Sequence, residues 1–283
     1  MNHQPSTQQR QTLYDSRNVL VRFIDFAGGR ALNGISGLGS ATMLVWETWS
    51  LAFRPPLQLK LLVHQLFLIG VNSISVVLIS GLFTGMVLAT QGYHQLIQLS
   101  AEGTLGKFVT VSVVKELGPM VTAFVLAGRI GASITAELGT MKVTEQIDAL
   151  EVMATNPVKY LVVPRFLACA IMLPILTLFA IVFGIAGGYL AAIILFDMNG
   201  LFFLKLAQAN LFISSIIISL IKASAFGMAI ASIGCYKGFT ISSAGGAEGV
   251  GKSTTGSAVT SLVTILALDA FLNQMLHVAW GLQ

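Results

Sequence analysis

From about residue 63 onward the chain alternates long apolar stretches with short polar ones. Five stretches are long enough to cross a hydrocarbon core, which takes about 20 apolar residues in a helix. They cover residues 63–92, 108–136, 166–195, 208–236 and 257–280. A transmembrane barrel would instead show segments of about ten residues with apolar and polar positions alternating, and these runs do not alternate. The pattern predicts an all-α membrane protein with five transmembrane helices. Small residues recur at every fourth position: Gly81, Gly85 and Ala89 in the first span, Gly128, Ala132 and Ala136 in the second, Gly184 and Gly188 in the third. That spacing lets helix backbones approach closely. On a helical wheel Leu88 and Leu96 fall on the small-residue side of the first span, which predicts that they face neighbouring helices.

The residues before the first span follow a different pattern. Residues 1–12 are polar, read as disordered, and contain no apolar run behind a basic start of the kind a signal peptide needs. From Leu13 to about Phe53, Val19, Leu20, Phe23, Ile24 and Ala27 share a face, Arg17, Arg22 and Arg30 add charge, and Trp46 and Trp49 precede Arg54-Pro55-Pro56. No 18-residue uncharged run occurs here, so the expectation is an interfacial helix on the cytoplasmic leaflet with tryptophans at headgroup depth. A short span at 31–53 is the competing reading, which Glu47 and the glycines disfavour. The chain thus divides into a leading part, 1–60, and a five-span domain, 61–283.

Between the second and third spans lies a charged segment, 137–165. Val143, Ile147, Leu150 and Ala154 repeat at steps of four, three and four, which forms one narrow helical stripe. Glu145, Asp148 and Glu151 lie on the flank and back of that helix. Two readings stand at this point: a solvated loop, or a docking helix that presses into a cytoplasmic partner through Glu145, Ile147, Asp148, Leu150 and Glu151.

Composition narrows the class. Hydrophobic residues make up 55% and charged residues 10% of the 283 positions, where soluble domains carry about a quarter charged. A net charge of +4 is too small to point to nucleic acid. The placement of the charges is more informative. With the N-terminus cytoplasmic, Arg10, Arg17, Arg22, Arg30, Arg54, Lys60, Lys142, Lys159, Arg165, Lys237 and Lys252 fall inside, and only Lys107 and Lys205 fall outside. This bias predicts a cytoplasmic N-terminus, an external C-terminus and a cytoplasmic 137–165 helix.

Two features bear on chemistry. Gly246 to Ser253 fits the phosphate-binding pattern G-x-x-x-x-G-K-[ST], but that mechanism needs a strand leading into the loop within an α/β domain. Membrane spans flank the motif on both sides, so it reads as a glycine-rich cytoplasmic connection. Cys169 and Cys235 lack CxxC spacing and His3, His64, His94 and His277 are scattered, so neither a disulfide nor a metal site is expected. The second feature is charge inside the spans: Lys115, Glu116, Arg129, Lys222 and Asp269. Such charges are costly in lipid and face a cavity or a partner. Lys222 and Asp269 sit near the middles of consecutive spans and are expected to pair. Lys115 and Glu116 point about 100° apart on a helix and have no evident mid-span partner, which makes them the candidates for contact with substrate. Pro119, one turn on, frees a backbone carbonyl.

The blocks LISGLFTGMVLATQGY at 78–93, KELGPMVTAFVLAGRIGASITAELGTMKVTEQIDAL at 115–150, NPVKYLVVPR at 156–165 and SSAGGAEGVGKSTTGSAV at 242–259 resemble the MlaE family of ABC-transporter permeases. The resemblance runs from about residue 60 to the end. It implies a homodimer of five-span subunits working with two cytoplasmic ABC ATPases that carry the ATP and magnesium, under an external ring of a Mce-domain protein. This chain would bind no cofactor of its own and have no catalytic residue. The resemblance also implies that 144–153 is the coupling helix, that 79–100 and 108–125 line a glycerophospholipid cavity with Leu88 and Leu96 on its wall, and that Lys115 and Glu116 lie near the headgroup. The expected role is an inner-membrane permease subunit that moves phospholipid to or from the Mce ring and so maintains outer-membrane asymmetry. An ion-coupled secondary transporter would show inverted repeats and broken midplane helices, which are not evident. A membrane nucleotide hydrolase rests on the 246–253 motif alone.

Overall fold

The computed structural model describes residues 37, 39–40, 42–52, 58–242 and 245–280, with side chains to 275. Every regular element among them is helical. Five helices have the length and composition to cross a membrane: Leu59–Gln98, Glu102–Val143, Val158–Phe196, Ile213–Phe239 and one starting at Gly246 that runs to Trp280. They are spans 1 to 5. At about 1.5 Å per residue, the 40 residues of span 1 extend about 60 Å, against a hydrocarbon core of about 30 Å.

The apolar runs therefore understated the helices. Polar turns of helix continue past the runs at both ends, because a helix leaving the bilayer keeps its own backbone hydrogen bonds and needs no apolar side chains to do so. The residues that end helices are not glycines. Ser100, Glu145, Ala154 and Asp197 all adopt left-handed backbone angles, with φ of 48°, 59°, 56° and 47°. Asp197 closes span 3, and Asn199 then starts a further helix, Gly200–Ala209, by accepting the Leu201 N–H at 3.0 Å. This helix fills most of the interval between the third and fourth apolar stretches. Phe203 and Ala207 of that helix are buried.

Spans 1 and 3 run parallel and touch through their small residues. A Cβ at Gly85 would collide with the Gly184 carbonyl, and one at Gly187 with the Leu82 carbonyl. The stripe of Gly81, Gly85 and Ala89 is buried along its length. Span 2 behaves differently. Its Gly128, Ala132 and Ala136 stripe faces no neighbour as closely: Gly128 is exposed, with nothing within 4 Å of a Cβ. The packing face is instead Gly131, Thr135, Leu138 and Gly139, and Thr135 donates its hydroxyl to the Gly234 carbonyl of span 4 at 3.0 Å.

Two segments of span 2 widen into π-turns, Val113–Leu117 and Ala127–Gly131, and a third π-turn, Val158–Val162, opens span 3. Turns of this kind break the regular helical spacing of side chains. The Lys115–Glu116 pair and Arg129 lie in the first two. Residues 42–52 are helical, and Trp49 packs edge-on against Phe166 with ring centroids 6.3 Å apart. The disorder expected for 1–12, most of the interfacial helix, and Arg54-Pro55-Pro56 lie outside the described residues.

Candidate functional site: a buried charge cluster

Lys222 is fully buried in span 4. Its ammonium lies 2.9 Å from Glu116 Oε2 and 3.0 Å from Asp269 Oδ1. It also donates to the Lys115 carbonyl at 3.3 Å. That carbonyl is one whose usual helical donor would be the N–H of residue 119, and Pro119 has none. A lysine has three N–H donors, and these three oxygens surround it. The contact to Asp269 Oδ1 is an ion pair by distance without hydrogen-bond geometry, so that oxygen accepts no hydrogen bond among the described residues. Asn273, one turn beyond Asp269, donates to Glu116 Oε2 at 3.0 Å and to Asp269 Oδ2 at 3.3 Å. Spans 2, 4 and 5 thus meet in one polar knot of one cation, two carboxylates and an amide.

The expected Lys222–Asp269 juxtaposition is therefore part of a larger group. Sequence position offers Glu116 no evident partner, and the structure gives it Lys222 and Asn273. Depth and facing read from α-helical spacing do not carry across the π-turn that holds Glu116. Asn273 had a readable signal, since it repeats the polar position of Asp269 four residues later on an apolar helix. The Lys115 ammonium makes no ion pair among the described residues. The Glu116 side chain keeps 42% of its surface exposed, against 1% for Lys222.

Leu88 and Leu96 are partly buried against a cluster formed by Ala89, Leu105, Val109, Val113, Ala191 and Phe203, among others. They lie on the side of span 1 that meets its neighbours. Leu96 also borders an open groove at the start of span 2.

A second charge pair sits at the two ends of the charged segment 137–165, where composition does not mark the span boundaries. Glu137 belongs to span 2 and Arg165 to span 3. Their side chains pair at 2.8 Å, with Arg165 buried and also donating to the Leu161 carbonyl at 2.6 Å. Arg165 accordingly leaves the tally of loop charges. Arg129 donates to the Asn72 carbonyl and, at 3.0 Å, to Ser73 Oγ.

The connection between spans 2 and 3 holds a helix of seven residues, Gln146–Val152. It is shorter than the stripe required: Val143 ends span 2, Glu145 turns left-handed, and Ala154 turns left-handed beyond the helix. The four apolar positions consequently do not share one helix. Ile147 is buried and Leu150 half-buried, while Asp148 pairs with Lys142 at 2.6 Å. The surface presented outward is Glu145, Gln146, Ala149, Glu151, Val152 and Met153, with Val152 88% and Met153 74% exposed.

The motif from Gly246 to Ser253 is itself helix, the first two turns of span 5, and Ser253 Oγ donates to the Lys237 carbonyl at 3.0 Å. A phosphate-cradling loop needs an open turn between strand and helix; here the same residues are wound into the helix.

The profile of the family described as Permease MlaE matches residues 62–275. The chain belongs to this family. A probable ABC transporter permease protein of Rickettsia felis is 38% identical over 257 residues, 91% of this chain and 98% of the relative. One from Synechocystis is 41% identical over 218 residues, 77% and 82% of the two chains. The intermembrane phospholipid transport system permease protein MlaE of Haemophilus influenzae is 36% identical over 261 residues, 91% and 98%. The MlaE-family permease described here is thus a multi-pass helical membrane protein. Its charge cluster, Leu88 and Leu96 all lie within the family match.

Proposed function

We propose that the chain is the permease subunit of an ATP-driven transporter in a bacterial inner membrane, moving phospholipids between that membrane and a periplasmic ring of Mce-domain protein. In that role it maintains outer-membrane lipid asymmetry. The observation that carries this reading is the match over nearly the whole chain to a permease named for intermembrane phospholipid transport. The chain works as one of two copies, and a cytoplasmic ABC ATPase holds and hydrolyses the ATP.

The physical features suit that cargo. Acyl chains need only an apolar wall, which Leu88 and Leu96 supply; a phosphate needs a cation, and Lys115 makes no ion pair among the described residues. The half-exposed edge of Glu116 offers a neighbouring acceptor for a headgroup ammonium. On the orientation set by the lysine and arginine bias, Gln146–Val152 is cytoplasmic and receives the ATPase, through Val152 and Met153 flanked by Glu145 and Glu151. Force delivered there passes to span 2 directly and through the Lys142–Asp148 pair.

Photocrosslinking amino acids at Leu88 and Glu116 in the assembled, ATP-hydrolysing transporter are expected to capture phospholipid. Phe83, exposed on the outer face of span 1, serves as the membrane-facing control. Capture at Phe83 with none at Leu88 and Glu116 would overturn the cavity reading.

A further inference from the structure

At the start of span 2 an open groove of about 360 Å³ is lined by Leu96, Thr104, Lys107, Phe108, Val111 and Ser112. Thr104, Phe108, Val111 and Ser112 recur at steps of four, three and one, so they occupy one face of the helix, and Leu96 closes the groove from span 1. The wall is held in place: the Phe108 ring lies where a Cβ at Gly92 would stand. Three of the lining residues, Leu96, Phe108 and Val111, are apolar. Lys107 is exposed and makes no ion pair among the described residues, where the four pairs use Lys142, Arg165 and Lys222. No carboxylate lines the groove.

An apolar trough with a single unpaired ammonium at its edge is complementary to a phosphodiester attached to an acyl chain. Lys107 and the Gln146–Val152 helix lie toward opposite ends of span 2, so the groove belongs to the membrane face away from that helix. Eight residues separate Lys107 from Lys115, about 12 Å at helical rise. The two lysines differ in their surroundings. Lys115 has the half-exposed Glu116 beside it in sequence, while Lys107 faces a groove without any acid. A zwitterionic headgroup would bring its ammonium toward Lys107 and a groove whose lining holds no carboxylate to receive it.

The geometry points to Lys107 as a headgroup-selecting residue: the groove holds a phospholipid by its phosphate at the external mouth of the path and favours headgroups of net negative charge. This deepens the phospholipid reading and rests on it. Phosphatidylglycerol is accordingly held better than phosphatidylethanolamine.

The test places a photocrosslinker at Val111 in the assembled transporter, reconstituted in vesicles of equal phosphatidylglycerol and phosphatidylethanolamine. Wild type is expected to enrich phosphatidylglycerol in the captured lipid by about fivefold, the scale of one partly exposed charge contact. Lys107→Arg keeps the enrichment, Lys107→Gln abolishes it, and Lys107→Glu reverses it. A parallel crosslinker at Leu88 reads the underlying transport path independently of residue 107. Silence at both Leu88 and Glu116 counts against the phospholipid reading itself. Capture at Leu88 with no capture at Val111, or capture at Val111 whose composition ignores residue 107, overturns the assignment to Lys107. Added inorganic phosphate leaves Val111 capture intact; displacement by phosphate would make the groove a free-anion site and overturn the lipid occupant.

Discussion

Lys222 is a fully buried cation between two carboxylates. A fully buried ammonium is tolerated because three oxygens surround it, and removing it leaves the largely buried Asp269 carboxylate and the half-exposed Glu116 carboxylate facing each other without a cation. Breaking a buried pair from one side costs about 3–5 kcal/mol, so Lys222→Met is expected to lower the thermal midpoint in detergent markedly. Adding Glu116→Gln and Asp269→Asn to the same protein should recover most of the loss, since neutral amides no longer repel. A Lys222→Met protein that melts with wild type would show that the cluster contributes nothing to stability. The Lys222–Asp269 partnership was legible in the sequence because both charges stand mid-span in consecutive helices, where lipid offers no alternative partner. Glu116 was not legible as the third member. Its facing depends on the π-turn Val113–Leu117, and residue spacing alone does not announce a π-turn.

Among the elements, small-residue spacing was informative in spans 1 and 3 and misleading in span 2. Gly81, Gly85 and Gly184 meet backbone to backbone, whereas Gly128 faces open space, because period four marks every face of a helix equally well and only the neighbours choose one. Gly85→Leu is therefore expected to force spans 1 and 3 apart, at a cost of about 1–3 kcal/mol or more for overpacking, while Gly128→Leu is tolerated within the subunit. Thermal melts of both variants check this, and equal midpoints would contradict it. Boundaries were the least legible feature. The turns at Ser100, Glu145, Ala154 and Asp197 carry no glycine, so the charged segment 137–165 read as one helix when it holds the end of span 2, a seven-residue helix and the start of span 3. That division also changes which residues are offered to the proposed ATPase. Val152→Glu with Met153→Glu should sharply reduce ATPase co-purification while the permease still inserts, because the two most exposed apolar side chains of that turn become charged and desolvation opposes docking. Asp148→Lys tests something different, since it first breaks the pair with Lys142. Undiminished ATPase recovery and transport in the Val152 and Met153 double variant would make this helix a solvated loop.

At the scale of the molecule, the proposed coupling helix and the proposed lipid groove stand at opposite ends of span 2. One end continues to the short helix held by Lys142 and Asp148; the other carries the groove beside Leu96. A lipid path along this side has to keep its wall apolar, and Leu96 stands on that wall without being part of the fully buried core. Leu96→Glu is therefore expected to abolish lipid transport with the complex still assembled: the half-exposed site lets a carboxylate reach water, yet its charge repels a phosphate and bars acyl chains. Leu88→Glu should act in the same way deeper in the path. Glu116→Ala should be milder, since it leaves the wall apolar, although it removes one acceptor from Lys222. The measurement is transfer of labelled phospholipid by the reconstituted transporter, with subunit stoichiometry and ATP hydrolysis recorded in parallel. Loss of transfer with stoichiometry intact fits an obstructed path. Wild-type transfer in both leucine variants would place the lipid elsewhere, and dissociation of the subunits would make these leucines part of assembly instead of the route.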